Sequence, residues 1–211
     1  MGFIFDFDTC TVTEHVYMLD HGLKPFTRFN ITTFDNFNYK LNTLDNVMFF
    51  DMEVDGLLRS QINTTNTYIP NIREWSYLYA PTLQSIDITQ TVTYYTKNYT
   101  DTIKTFWEVY NKLNHPILLA HNGNNFDFLI LIAHTYRYLE NAEKLIQNLK
   151  CYDTYTYIKN KSPFGSKSNS ALFIKYLCKY PNYENLQYKA HNSKEDTQML
   201  ALWFPNAFSA S

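Results

Sequence analysis

The segment Val47-Met48-Phe49-Phe50-Asp51-Met52-Glu53-Val54 constrains the fold more tightly than any other stretch of this chain. Met48, Phe50, Met52 and Val54 fall on one face and Val47, Phe49, Asp51 and Glu53 on the other, a period of two that an extended strand satisfies and a helix does not. Two carboxylates at alternate positions of a strand project from the same face about 7 Å apart. Such a pair is either solvated at an exposed edge or gathered around a cation, because like charges side by side otherwise repel. Gly56 then breaks the pattern.

Around this strand the periodicity alternates between sheet and helix. Gln61 to Ile69 and Glu74 to Tyr79 read as two further strands, with Pro70-Asn71 as the turn between them, so a three-stranded meander is expected. Asp101 to Leu113 places Ile103, Phe106, Trp107, Tyr110 and Leu113 at helical spacing, and Asn114-His115-Pro116 stops it. Ile117 to Ala120 is a short buried-type strand. A helix from Phe126 to about Leu149 follows, capped by Asn124 or Asn125. A strand or helix near Tyr152 to Ile158, a loop from Lys159 to Ser170, a helix Ala171 to Lys179 and a last helix Thr197 to Phe204 complete the order, with Ser193 and Asp196 spaced as in a capping box. Strands first, then alternating helix and strand, place the chain in the α/β class.

With 211 residues, 45% hydrophobic and 18% charged, the chain is long and apolar enough to close one core and too apolar for a disordered one. Three scattered cysteines give neither a disulfide framework nor a C-x-x-C zinc site. No apolar run approaches the roughly 18 residues that span a membrane, and no basic flank precedes the N-terminal apolar stretch. An intracellular location without a membrane partner, in cytoplasm or nucleus, is expected. The net charge of -2 hides an asymmetry: residues 137–189 hold nine Lys and Arg against four acids, a local +5 that leaves -7 for the remainder. That basic stretch is either a solvated face or a footprint for nucleic acid.

Taken singly, the other acidic motifs are weak. Asp127 falls in the first turn of a helix, where an acid complements the macrodipole. His191 precedes Asp196 at a helix start, where a surface role is the plain alternative. Their joint order carries more: a D-x-E strand, then Ala120-His121-Asn122-Gly123-Asn124-Asn125-Phe126-Asp127, then Ala190-His191-Asn192-Ser193-Lys194-Glu195-Asp196, with 76 residues from Asp51 to Asp127 and 64 from Asp127 to His191. This triplet resembles the histidine branch of the DEDD 3′-to-5′ exonucleases, and Cys151-Tyr152-Asp153-Thr154 is similar to the C-x-D-T segment of its repair-type members.

The resemblance spans residues 47–204 and implies a ribonuclease-H-like mixed sheet, its first three strands antiparallel, flanked by helices. It divides the chain into an N-terminal extension, 1–46, in the form of an extra hairpin, and an exonuclease domain, 47–211. It implies that Asp51, Glu53, Asp127 and Asp196 hold two magnesium ions, with manganese able to substitute, since oxygen donors suit hard cations. It implies that His191 is the general base, and that the partner is a nucleic acid with a free 3′ end, DNA favoured over RNA, cut to nucleoside 5′-monophosphates. Leu57, Asn122, Phe126 and Lys167 are its candidate substrate contacts. Val54-Asp55 departs from the family's usual pair of threonines before Gly56-Leu57.

Phe5-Asp6-Phe7-Asp8 is a rival first motif with two acids on one strand face, but it has Asp8 where the family has Glu and lacks the Gly-Leu ending. Asp51 and Glu53 are favoured. The same Asp-Phe-Asp does not make a haloacid-dehalogenase-type phosphatase, because Cys10 stands where that motif wants Thr or Val. A catalytically inactive nucleic-acid-binding or protein-interaction module on the same fold is the alternative function.

Overall fold

A computed structural model of the chain describes residues 2–6, 11–15, 43–55, 70–161, 165, 167–177 and 192–209. Strands β1 (Gly2–Asp6) and β2 (Thr11–His15) pair antiparallel as a two-stranded ribbon that shares no strand with the main sheet. The main sheet comprises β3 (Val47–Val54), β4 (Ile72–Ala80), β5 (Val92–Tyr95), β6 (Ile117–Ala120) and β7 (Lys150–Asp153) in the order β5-β4-β3-β6-β7. β3, β4 and β5 are antiparallel neighbours, while β6 runs parallel to β3 and β7 parallel to β6. This mixed sheet is consistent with the ribonuclease-H-like arrangement that the resemblance implies.

β3 is the central strand, and its two faces organise the molecule. Met48, Phe50 and Met52 join a buried cluster with Trp75 of β4 and Leu118 of β6. That side is covered by α1 (Tyr99–Lys112) through Ile103, Phe106 and Tyr110, and by α2 (Asp127–Tyr138) through Phe128 and Ile130 to Ile132. Phe106 stands edge-on to both Phe50 and Trp75, with ring centroids 5.6 Å apart in each case, a favoured aromatic geometry. Val47 and Phe49 face the opposite cluster, closed by Leu200, Trp203 and Phe204 of α6 (Ser193–Ser209), by Ile158 of α4 (Thr154–Lys161) and by Leu172 of α5 (Asn169–Leu177). Asp51 and Glu53 share the parity of Val47 and Phe49 and therefore point to the α6 side, just beyond its apolar cover.

The details correct several sequence expectations. The third strand of the meander is Val92–Tyr95; the expected strand Gln61 to Ile69 lies outside the described residues. The single helix expected over Phe126 to Leu149 is two, α2 and α3 (Ala142–Gln147), with Leu139 extended between them. A helix of 24 residues would be about 36 Å long, too long to return the chain beside the four-residue β6. Neither Asn124 nor Asn125 caps α2; Phe126 occupies the cap position without a side-chain bond. α6 continues past Phe204 and Pro205 to Ser209, held by burial of Pro205 and Ala207. Its capping box is absent too: Asn192 Oδ1 accepts the Glu195 N–H at 3.1 Å, while Ser193 bonds across to β4. The basic loop is shorter than expected, since α4 reaches Lys161 and α5 begins at Asn169. Among the described residues, no helix is long and apolar enough to cross a membrane.

Candidate metal centre

Asp51 lies opposite Ser76 on β4, and Glu53 opposite Glu74. The pairing slips by one residue directly after Glu53, a bulge of the kind that re-aims a strand end. The first turn of α6 is fastened over this point. Ser193 Oγ lies 2.7 Å from Ser76 Oγ and donates to Glu74 Oε1 at 3.1 Å, and the Ser193 backbone N–H donates to the same carboxylate oxygen at 3.0 Å. These bonds place Asp196 over Asp51 and Glu53, so that one ligand atom from each of the three carboxylates lies within 4.8 Å of the others.

Asp196 is held in turn from α5. Asn169 Nδ2 donates to the Asp196 backbone oxygen at 3.0 Å and to its Oδ1 at 3.2 Å, while Asn169 Oδ1 accepts the indole N–H of Trp203 at 2.6 Å. Trp203 is fully buried. The acid is therefore positioned by a hydrogen-bonded chain anchored in the core.

Asp127 reaches the same region from the start of α2. The strand-to-helix junction explains the Asn-Gly of its motif. Asn122 has a left-handed backbone (φ 65°), which Asn tolerates better than most residues. A Cβ on Gly123 would sit 2.6 Å from the Phe128 ring and 2.8 Å from the Ala120 methyl, so only glycine fits. Past that turn Asp127 is buried and accepts the Met52 N–H at 3.0 Å, tying it to the backbone between Asp51 and Glu53. It stands beside the three clustered acids rather than within the group.

The electrostatics follow from this crowding. Burial pushes the Asp51 carboxyl well above the usual carboxylate range, and the charges of Asp127, Asp196, Glu53 and Glu74 push it further. Burial also raises Asp127, offset in part by hydrogen bonds from its own and the Met52 backbone N–H, with Asp153 and Glu53 adding repulsion. Asp153 is raised by burial against the bonds it accepts from Tyr155 and Asn122. Among the described residues, the exposed Arg73 brings a cation to this edge, with its Nη2 3.9 Å from Glu53 Oε2. A set of oxygen donors with surplus negative charge fits a hard divalent cation. Asp51, Glu53 and Asp196 can hold a metal ion.

No family model matches this chain, and no curated protein matches it. Of the expected substrate contacts, Asn122 and Lys167 border one open cleft of ≈ 630 Å³ together with His121, Tyr155, Lys159 and Ser168. Phe126 is half-buried and packs on the core cluster beside Phe128. Both ring nitrogens of His121 are engaged: Nε2–H donates to the Lys167 carbonyl at 2.6 Å, Nδ1 faces Thr154 Oγ1 at 3.1 Å, and burial lowers its pKa. His191, Leu57 and Asp8 lie outside the described residues. Asp6 lies in the β1–β2 ribbon, paired with Thr11.

Sequence reasoning did not select Glu74 or Asp153 as site residues. Glu74 shows itself only through its cross-strand register with Glu53, which a single strand's pattern does not contain. Asp153 carries a signal in the Cys-Tyr-Asp-Thr segment: its carboxylate receives the Asn122 N–H at 2.9 Å and so braces the junction that delivers Asp127.

Proposed function

We propose that this protein is a metal-dependent 3′-to-5′ exonuclease that releases nucleoside 5′-monophosphates from single-stranded or frayed 3′ ends, DNA favoured over RNA. The observation that carries the reading is the convergence of Asp51, Glu53 and Asp196 within 4.8 Å, with buried Asp127 bonded to the backbone between the first two. These are the four acids that the three separated motifs nominate, and the fold is the one the same motifs imply.

In this reading Asp51, Glu53, Asp127 and Asp196 hold two magnesium ions, and His191 accepts the proton of the attacking water. Bound there, the metal pair supplies Lewis acidity for activating that water and for stabilising the leaving 3′ oxygen. Water adds to the terminal phosphorus as the P–O3′ bond breaks, so the phosphate leaves on the mononucleotide. Asn122, Lys167 and their neighbours in the open cleft hold the strand, Lys167 and Lys159 by charge and Tyr155 by its ring. Leu57 and Phe126 abut the terminal base. His191 is preferred over His121 as base, because both nitrogens of His121 are engaged within the protein.

The test incubates 3′-labelled single strands of DNA and RNA with the wild-type chain and with Asp51→Ala, Asp196→Ala, His191→Ala and Asp6→Ala, in magnesium and in chelator. Mononucleotide release in magnesium by wild type and Asp6→Ala, lost in the other three, is the expected result. Wild-type protein that leaves both strands intact with magnesium and with manganese ends the proposal. Activity in Asp51→Ala with loss in Asp6→Ala would transfer the first motif to the N-terminal ribbon.

A further inference from the structure

A second cleft, of ≈ 520 Å³, opens beyond the far end of β3 and is bordered by Asp55, Asn71, Arg73, Lys97, Tyr99 and Tyr138 among others. Its chemistry differs from that of the acidic centre. Arg73 and Lys97 contribute two exposed cations, and Asp55, the one acid among the described rim residues, is turned to Asn71, whose N–H and Nδ2 donate to it at 2.8 and 2.9 Å. Arg137, just outside, lies 5.5 Å from the Tyr138 ring centroid.

The aromatic wall is built and partly open. Tyr99 and Tyr138 stack with centroids 6.2 Å apart and planes at 24°, and Tyr99 remains 39% exposed. Both rest on His134, which is fully buried and donates Nε2–H to the Pro70 carbonyl at 2.9 Å. Thr96 also lines the cleft, and its buried Oγ1 has no hydrogen-bond partner among the described residues. The Thr96 backbone N–H, just past the end of β5, is bonded to the Arg73 carbonyl of β4 at 2.8 Å. Arg73 also links the two sites, since its Nη2 is 3.9 Å from Glu53 Oε2.

We propose that the cleft between Arg73, Lys97 and the Tyr99–Tyr138 pair binds one nucleotide of the single-stranded nucleic acid whose end occupies the acidic centre. The base stacks on Tyr99, and Arg73 and Lys97 take its phosphates. The combination of cations with an open aromatic face is what single-strand sites use, because every base has a stacking face and every linkage a charge. The inference rests on the nuclease reading and is testable apart from it.

The test uses a single-stranded oligothymidylate with photoreactive thymines, protected at its 3′ end by phosphorothioate linkages, bound to the full chain in magnesium. Cross-links mapped by mass spectrometry to Tyr99 or Tyr138 are expected. Tyr99→Ala should weaken binding about tenfold, as for loss of one stacked base, and Lys97→Ala should lower the salt slope by about 1. Tyr99→Leu, which keeps apolar bulk against Tyr138, serves if the alanine variant misfolds. An unchanged magnesium-dependent shift in melting temperature verifies that the acidic centre is intact in each variant. Cross-links confined to the cleft around His121 and Tyr155, or none, with unchanged affinity in the Tyr99 variants, overturn the proposal. Magnesium-dependent release of mononucleotides by wild type from an unprotected strand reports on the nuclease reading alone.

Discussion

Replacing Asp51 with Asn should make the metal-free protein more stable while removing its response to magnesium. Asp51, Glu53 and Asp196 hold oxygen atoms within 4.8 Å of one another. At an effective dielectric near 20, each like-charged pair at such a distance costs roughly 3 kcal/mol. Partial protonation and penetrating water reduce that figure, so neutralising the central acid should recover about 1–3 kcal/mol, a rise of about 2–10 °C in melting temperature for a chain of this size. The sign with pH follows from the direction of the shift. Asp51 is held above the ordinary carboxylate range in the folded state, so the folded protein binds the proton more readily than the unfolded one. The penalty is therefore absent below the ordinary range, grows as pH rises through the raised folded value, and is complete above it. The assay is thermal unfolding of wild type and Asp51→Asn in chelator across pH, repeated in magnesium. In magnesium the order should reverse, because wild type alone gains binding free energy, about 4.1 kcal/mol at a concentration a thousandfold above Kd. A variant no more stable than wild type in chelator at neutral pH, or a difference that does not vary with pH, would refute the reasoning.

Asn169→Ala should weaken magnesium affinity about 10- to 100-fold by freeing Asp196, and should cost about 1–3 kcal/mol of stability by leaving the buried Trp203 indole N–H without its acceptor; calorimetric titration and denaturant unfolding read the two effects. Gly123→Ala should cost about 1–3 kcal/mol through overlap with Phe128 and Ala120, with the metal-induced melting shift falling as Asp127 is displaced. Magnesium binding should release protons, with apparent affinity rising with pH, because the raised Asp51 and Asp127 must ionise to coordinate; titration in two buffers of different ionisation enthalpy measures the release.

The parts of the fold that were legible in the sequence are those where one element's own pattern decides its place. The parity of Val47 to Val54 gave the central strand, the face its acids occupy and the face its core residues occupy. The apolar stripe of α1 gave a helix differing by only one or two residues at each end. What was not legible depends on partners distant in sequence. The break at Leu139 comes from the need for Lys150–Asp153 to return beside Ile117–Ala120, which no local period encodes. The role of Ser193 is not legible locally, because its hydroxyl serves Glu74 and Ser76 more than 100 residues away instead of its own helix. Asn122 and Gly123 were visible as a motif, but the reason for them, a left-handed turn pressed against Phe128, appears only in the packing.

One physical arrangement links the core to the site. Along β3 the face that buries Val47 and Phe49 under α6 carries Asp51 and Glu53 two and four residues further on, where the helix's apolar cover gives way to its first turn. The hydrophobic contacts of Leu200, Trp203 and Phe204 with the sheet therefore hold the N-terminal end of α6, and Asp196 with it, against acids that repel it. Burying large apolar side chains stabilises by about 1.5–3 kcal/mol each, so three of them offset a repulsion of the size estimated for the carboxylate pairs. The cluster of acids can thus persist without a cation, poised to receive one, because the strand that concentrates the charge also anchors the helix that completes it. Truncating Leu200 or Phe204 should accordingly lower metal affinity as well as stability, although neither side chain is a ligand.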